Sequence, residues 1–178
     1  MNKLLLYSAL LLFTQCIGCK KKGPTPDPPQ DPVAQLPPET QTGQRTFGCL
    51  VNGQPWTLAG SPLGGPLLAA QYHDRRLSIS MVGLTADKSS SGGVMQIGID
   101  KITTSGRYIL SREDTSFVSY DDAKANCLYR TDVSHPATVE ITRLDPVARI
   151  ASGRFAFTLE TPSCGKVVVT GGRFDCRF

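Results

Sequence analysis

The side chains with chemical reach in this chain are two histidines, six cysteines and an acidic stretch between Glu113 and Asp122. His73 is followed by Asp74, a pair that could pass a proton if a nucleophile stood beside it. The local sequence offers none, because His73-Asp74-Arg75-Arg76 reads as a hairpin turn in which both side chains are solvated. His135 precedes Pro136 in VSHP, a second turn. Neither histidine has neighbours at metal-ligand spacing. Glu113, Asp114, Asp121 and Asp122 form the densest acidic group. A calcium loop alternates its carboxylates around a central glycine, and Asp121-Asp122-Ala123-Lys124 does not. No G-x-S-x-G, H-E-x-x-H, Walker or dinucleotide fingerprint occurs. The chain is therefore expected to be no enzyme and to carry no metal and no cofactor. A small hydrolase acting on envelope or extracellular polymer is the competing reading, because a Ser–His–Asp triad has no fixed sequence order. Trp56, Tyr72, Tyr120 and Tyr129 are candidates for a sugar-stacking platform if they are exposed and coplanar; strand aromatics otherwise pack inward.

The cysteines point to export. Cys16 and Cys19 fall in an apolar leader, which leaves Cys49, Cys127, Cys164 and Cys176. An even set in an oxidising compartment predicts two disulfides. Zinc is the alternative, but these four show no C-x-x-C or paired Cys/His spacing. Three connectivities are open. The preferred one is Cys49–Cys176 with Cys127–Cys164, because the first pair would tie the first strand to the last, and the ends of a compact domain lie close together.

The leader reads MNKLLLYSALLLFTQCIGC. Lys3 is a small positive n-region. Leu4 to Phe13 is too short to cross a hydrocarbon layer, which needs ~20 residues, and reads as the h-region of a signal peptide. Gly18 directly before Cys19 resembles the lipobox of bacterial lipoproteins, where the peptidase cuts before a cysteine whose sulfur carries diacylglycerol. Residues 1–18 are then a lipoprotein signal peptide, Cys19 is the lipidation site, and the membrane is a partner. An ordinary secretory signal and an uncleaved anchor are the alternatives. Gly18 argues against the first, and the short h-region against the second. Cys16 departs from the Leu that such boxes usually carry. Lys20 rather than Asp follows the anchor, which resembles the pattern of outer-membrane rather than inner-membrane retention.

Seven of the thirteen prolines lie between Gly23 and Gln44. Proline at this density disfavours helix and leaves a disordered, semi-rigid spacer of ~3 Å per residue. Residues 19–44 are read as the lipidated cysteine and its Pro-rich tether, and 45–178 as the folded domain. The formal charge of +4 is spread among acids, so nucleic acid, which favours a clustered basic face, is not an expected partner.

Beyond residue 45 the signal is alternation. Thr46–Val51, then Asn52-Gly53, then Gln54–Leu58 reads as a hairpin with a type I′ turn. Trp56 is expected to pack that hairpin on the core. Further strand-like runs are Leu67–Tyr72, Leu77–Leu84, Val94–Ile99, Arg107–Leu110, Phe117–Tyr120, Cys127–Arg130, Ala137–Leu144 and Ile150–Glu160. Lys166–Thr170 and Arg173–Phe178 read as a last hairpin around Gly171-Gly172. Tyr120–Tyr129 is the best place for a short helix. About ten short strands with turn residues between them predict an all-β domain, a single antiparallel sandwich or barrel. Its loops Ala59–Pro66, Ala86–Gly93 and Asp121–Asn126 are free to carry binding residues.

The runs LPPETQTGQRTFGCLVNGQPW, GGPLLAAQY, TVEITRLDPVARIASGRFAFTL and VVVTGGRFDCRF resemble an uncharacterised lipoprotein domain family of Bacteroidota. Its members share a lipobox, a Pro-rich tether, a "TFGCLVNG…W" block and a "SGxFxF…GRFD" block. The resemblance covers the chain from about Leu36 onward. It implies an all-β domain on the cell envelope and no particular activity, and it carries no pairing for Cys176. The expectation is a non-enzymatic binding or interaction module on the outer membrane.

Overall fold

The computed structural model describes residues 31–60, 65–85, 93–112 and 115–178. The leader, Cys19, Glu113, Asp114 and much of the loops Ala59–Pro66 and Ala86–Gly93 lie outside the described residues.

Strands β1 (Thr46–Val51) and β2 (Gln54–Leu58) form the first hairpin. Asn52 and Gly53 turn it at φ of 49° and 79°, the two positive values that a type I′ turn requires. Strands β3 (Leu68–His73) and β4 (Arg76–Thr85) turn the same way across Asp74 and Arg75, at 48° and 61°. There follow β5 (Gly93–Ile99), β6 (Gly106–Leu110), β7 (Phe117–Asp122), β8 (Cys127–Arg130), β9 (Ala137–Asp145), β10 (Ile150–Thr161) and β11 (Gly165–Arg177).

All eleven join one antiparallel sheet in the order β6-β9-β10-β11-β1-β2-β4-β5-β7-β8, with β3 also paired to β4. The fold is all-β, as expected, and the sheet curls on itself so that β8 meets β10 across the interior. The concave face holds the core. Phe155 stacks on Phe47 at 5.4 Å. Phe47 meets Trp56 edge-on at 5.5 Å, and Trp56 meets Tyr120 edge-on at 6.3 Å. Tyr120 stacks on Tyr129 at 6.2 Å. This row crosses from β10 to β8 and is buried throughout. Burying each such ring contributes ~1.5–3 kcal/mol before entropy, so the row is a main reason for the curl. Cys127, at the start of β8, is bonded to Cys164 in the β10–β11 turn, and the Tyr129 hydroxyl donates to the Cys164 carbonyl at 3.1 Å. The edge strand is thus fastened across the opening of the curl.

Four expectations are corrected. Tyr120–Tyr129 is not helical: it is the β7–β8 hairpin, with Tyr120 paired to Tyr129. Gly171-Gly172 is not a turn. β11 runs straight through it and pairs with β10 on one side and β1 on the other. Gly171 sits at φ 60° where the β10–β11 register shifts. Gly172 makes room for Phe155, whose ring lies 2.5 Å from where a Cβ would be. The two glycines serve a bulge and a close approach.

The expected Cys49–Cys176 bond is absent, and both residues are buried free thiols. Thr46 pairs with Asp175, which puts Cys176 beside Arg45, four residues along from Cys49. At ~3.3 Å per residue the two Cα atoms are more than ~10 Å apart, beyond disulfide reach.

The fourth correction is the boundary. Residues 31–44, read as tether, belong to the compact unit that spans Asp31–Phe178.

Candidate functional site

Accessible space meets placed polar groups at a strap laid over the outside of the sheet and at a cleft beside the β3–β4 turn.

The strap begins at Asp31, whose carboxylate accepts from the Val33 N–H at 2.9 Å and starts a single 3₁₀ turn over Pro32–Gln35. Leu36 is buried and rests with Pro37 on Gly48. A Cβ on Gly48 would lie 2.6 Å from Pro37 Cδ, so only glycine lets the strap come so close. Glu39 Oε2 meets Arg154 Nε at 2.7 Å and Nη2 at 2.6 Å, both on the one oxygen. The Arg154 bond holds the Glu39 carboxyl below the usual carboxylate range, against a smaller opposing effect of burial. Arg143 donates to the Gln41 carbonyl, and Arg177 to that of Thr42.

Asp175 in β11 fixes the rear of the strap. It is fully buried and accepts five hydrogen bonds. They come from the Thr40 hydroxyl at 2.6 Å, the Thr42, Gly43 and Gln44 N–H groups at 3.1, 2.8 and 2.9 Å, and the Ser152 hydroxyl at 2.7 Å. Burial alone would raise its pKa. The bonds from Gln44, Thr40, Ser152 and Gly43 outweigh that and hold it at about 2. Three successive N–H groups folded round one carboxylate form a nest for negative charge. Sequence reasoning missed Asp175. The available signal was an acid between Phe174 and Cys176 inside a strand, where Asp is normally depleted.

The cleft has a volume of about 550 Å³ and is lined by Ala70, Gln71, Tyr72, His73, Pro146, Arg149 and Phe178. The rings of Tyr72 and Phe178 lie 5.3 Å apart and tilted by 52°. Among the described residues this is the ring pair with both members partly exposed; the other pairs sit in the core. The Tyr72 hydroxyl donates to the Ile102 carbonyl at 3.0 Å, which fixes the ring. The Phe178 N–H donates to the Arg149 carbonyl at 3.1 Å. The 52° tilt means that the pair is not a coplanar stacking platform; it offers apolar ring surface beside the polar side chains of Gln71, His73 and Arg149.

Of the aromatic candidates, only Tyr72 reaches this surface. Trp56, Tyr120 and Tyr129 are buried, and burial pushes the Tyr120 and Tyr129 hydroxyls up in pKa. His73 and Asp74 pair at 2.9 Å in the expected turn, with side chains 88% and 86% exposed. His135 lies elsewhere. Its ring faces Asp132 at 3.2 Å and Glu160 at 4.0 Å. Asp132 also accepts the Ser134 and His135 N–H groups, and the His135 amide is the main reason its carboxyl sits below the usual range. The partners of both imidazoles are carboxylates.

Asp122 caps the β7–β8 turn by accepting from the Lys124 and Ala125 N–H groups, both at 3.1 Å. Among the described residues, no cluster of three His, Cys, Asp or Glu could hold a metal ion, and no helix is long and apolar enough to cross a membrane. Burial pushes the Cys49 thiol up in pKa and takes that of Cys176 to about 12. No family model, curated protein or solved structure matches this chain.

Proposed function

We propose that the protein is a cell-envelope lipoprotein, anchored to the outer membrane through Cys19, that displays a non-enzymatic binding module with the Tyr72–Phe178 cleft as its ligand-binding face. The observation that supports this most is the partly exposed aromatic pair with Gln71, His73 and Arg149 at its rim. An apolar patch rimmed by polar groups is what a binding surface requires. A hydrolase would need a cleft in which a histidine meets a carboxylate or a nucleophile. His73 at the cleft pairs with Asp74 at 2.9 Å, which keeps the hydrolase as the second reading, while His135 meets Asp132 and Glu160.

The test has two arms. The chain is screened against soluble glycans and peptides for binding, and against ester, peptide and glycan substrates for turnover. Binding that drops roughly tenfold or more in Tyr72→Ala supports the cleft. Turnover lost in His73→Ala/His135→Ala would replace this reading with the hydrolase.

A further inference from the structure

The strap is held unequally along its length. Its rear, residues 40–44, gives three N–H groups and a hydroxyl to buried Asp175. Its front is held by Leu36 on the glycine floor and by Glu39 on Arg154. The side chains of Arg154 and Glu39 are 55% and 44% exposed, and an ion pair so open to water adds little. The strap also leaves space beneath it. A hollow of about 260 Å³ lies under Pro38–Gln41, with Thr46, Thr142, Arg154 and Arg173 on its walls. Glu39 brings the strap's negative charge to these arginines, while Glu140 approaches Arg154 from β9 only to 3.9 Å.

We propose that the front of the strap is a displaceable ligand held in cis, and that the groove beneath it is an interaction surface for an extended segment of a partner protein carrying Leu-Pro with a carboxylate three residues after the leucine. The strap's own Leu36-Pro37-Pro38-Glu39 shows the chemistry that fits. Gly48 removes the side chain that would hold the proline off the sheet. Proline keeps the segment extended and leaves no N–H needing a partner. Arg154 Nε and Nη2 converge on one carboxylate oxygen. Peeling stops at Thr40, because from there on the strap belongs to Asp175. The front therefore exchanges while the domain keeps its clasp, and none of this depends on the lipid anchor.

The probe is a labelled peptide of residues 31–41, DPVAQLPPETQ, added to the full chain in detergent. In the native chain the peptide competes with the tethered strap at high effective concentration. In Leu36→Ala/Glu39→Ala the groove is vacated. The peptide is expected to bind this variant roughly tenfold or more tightly than the native chain, and Gly48→Ala in the same background, which puts a Cβ where Pro37 rests, removes the gain. Equal binding to native chain and variant, with unchanged far-UV circular dichroism, overturns the proposal. Hydrogen exchange on the native chain is the second readout. The Ala34 and Leu36 amides are expected to exchange roughly tenfold or more faster than those of Gly43 and Gln44. Equal protection along the strap overturns the proposal as well.

Discussion

Asp175 carries more of the structure than any other polar side chain described above. Its five acceptor contacts satisfy strap N–H groups that would otherwise need water. Asp175→Asn keeps the shape but replaces one acceptor oxygen by a donor and removes the charge. It is expected to lower unfolding stability by roughly 2–3 kcal/mol at neutral pH, read by urea denaturation. The pH dependence has a fixed sign. The folded-state pKa of about 2 lies below the ~3.9 of an unfolded Asp. The contribution is therefore complete above about pH 5 and disappears as pH falls through 4 toward 2. The native chain should lose stability across that window, and Asp175→Asn should lose less. Equal acid sensitivity in the two would mean that other carboxylates dominate. The cysteines give a second prediction at this scale. Peptide mapping without reductant should return Cys127–Cys164 and no bond to Cys49 or Cys176. Cys49 and Cys176 should resist alkylation until the chain unfolds, because buried thiols at raised pKa are poor nucleophiles. A recovered Cys49–Cys176 peptide would contradict the register of β1 against β11.

At the scale of elements, the Cys127–Cys164 bond fastens β8 to the β10–β11 turn, and glycines admit the aromatic rings. The bond closes a loop of 37 residues, worth roughly 4 kcal/mol on chain entropy. Cys127→Ser/Cys164→Ser is expected to lose about that much, with β8 the first strand to exchange its amides. Gly83 in β4 lies beneath Trp56: a Cβ there would sit 2.7 Å from the indole and 2.5 Å from the Thr57 carbonyl. Gly83→Val is expected to cost roughly 1–3 kcal/mol by overpacking, measured by thermal unfolding. A neutral result would show that Trp56 is less fixed than the aromatic row implies. Most strands were legible in the sequence because one face of the sheet is buried, so alternation survives in β4, β5, β9 and β10. The Asn52-Gly53 turn was legible from residue type alone. What misled was punctuation. Glycine marks turns and close approaches alike, and only the ring of Phe155 over Gly172 separates the two. The cleft was partly legible: Tyr72 stood among the candidates, but Phe178 and Arg149 come from segments distant in sequence. The strap was hidden because its proline content argues for a free tether, whereas its bonds run to Asp175, more than a hundred residues away.

At the scale of the whole molecule, the strap shortens the stretch of chain that precedes the folded unit. If Cys19 is the anchor, a linker running to Gln44 would allow a separation of about 80 Å at ~3 Å per residue. Because the folded unit starts at Asp31, only residues 20–30 remain between anchor and fold, and eleven residues reach at most ~40 Å. The consequence can be tested in two stages. Cys19→Ser should abolish lipid labelling and release the protein from the membrane fraction; retention with labelling would remove the anchor and everything that rests on it. With the anchor established, neutron reflectometry of the lipidated chain on a supported bilayer should place the near edge of the protein layer within about 40 Å of the headgroups. Freeing residues 31–39 adds about 28 Å of contour, so Leu36→Ala/Glu39→Ala should move that edge outward, while Asp175→Asn should release the rear of the strap as well. An edge already near 80 Å in the native chain would mean that the strap does not rest on the sheet when the protein is on its membrane.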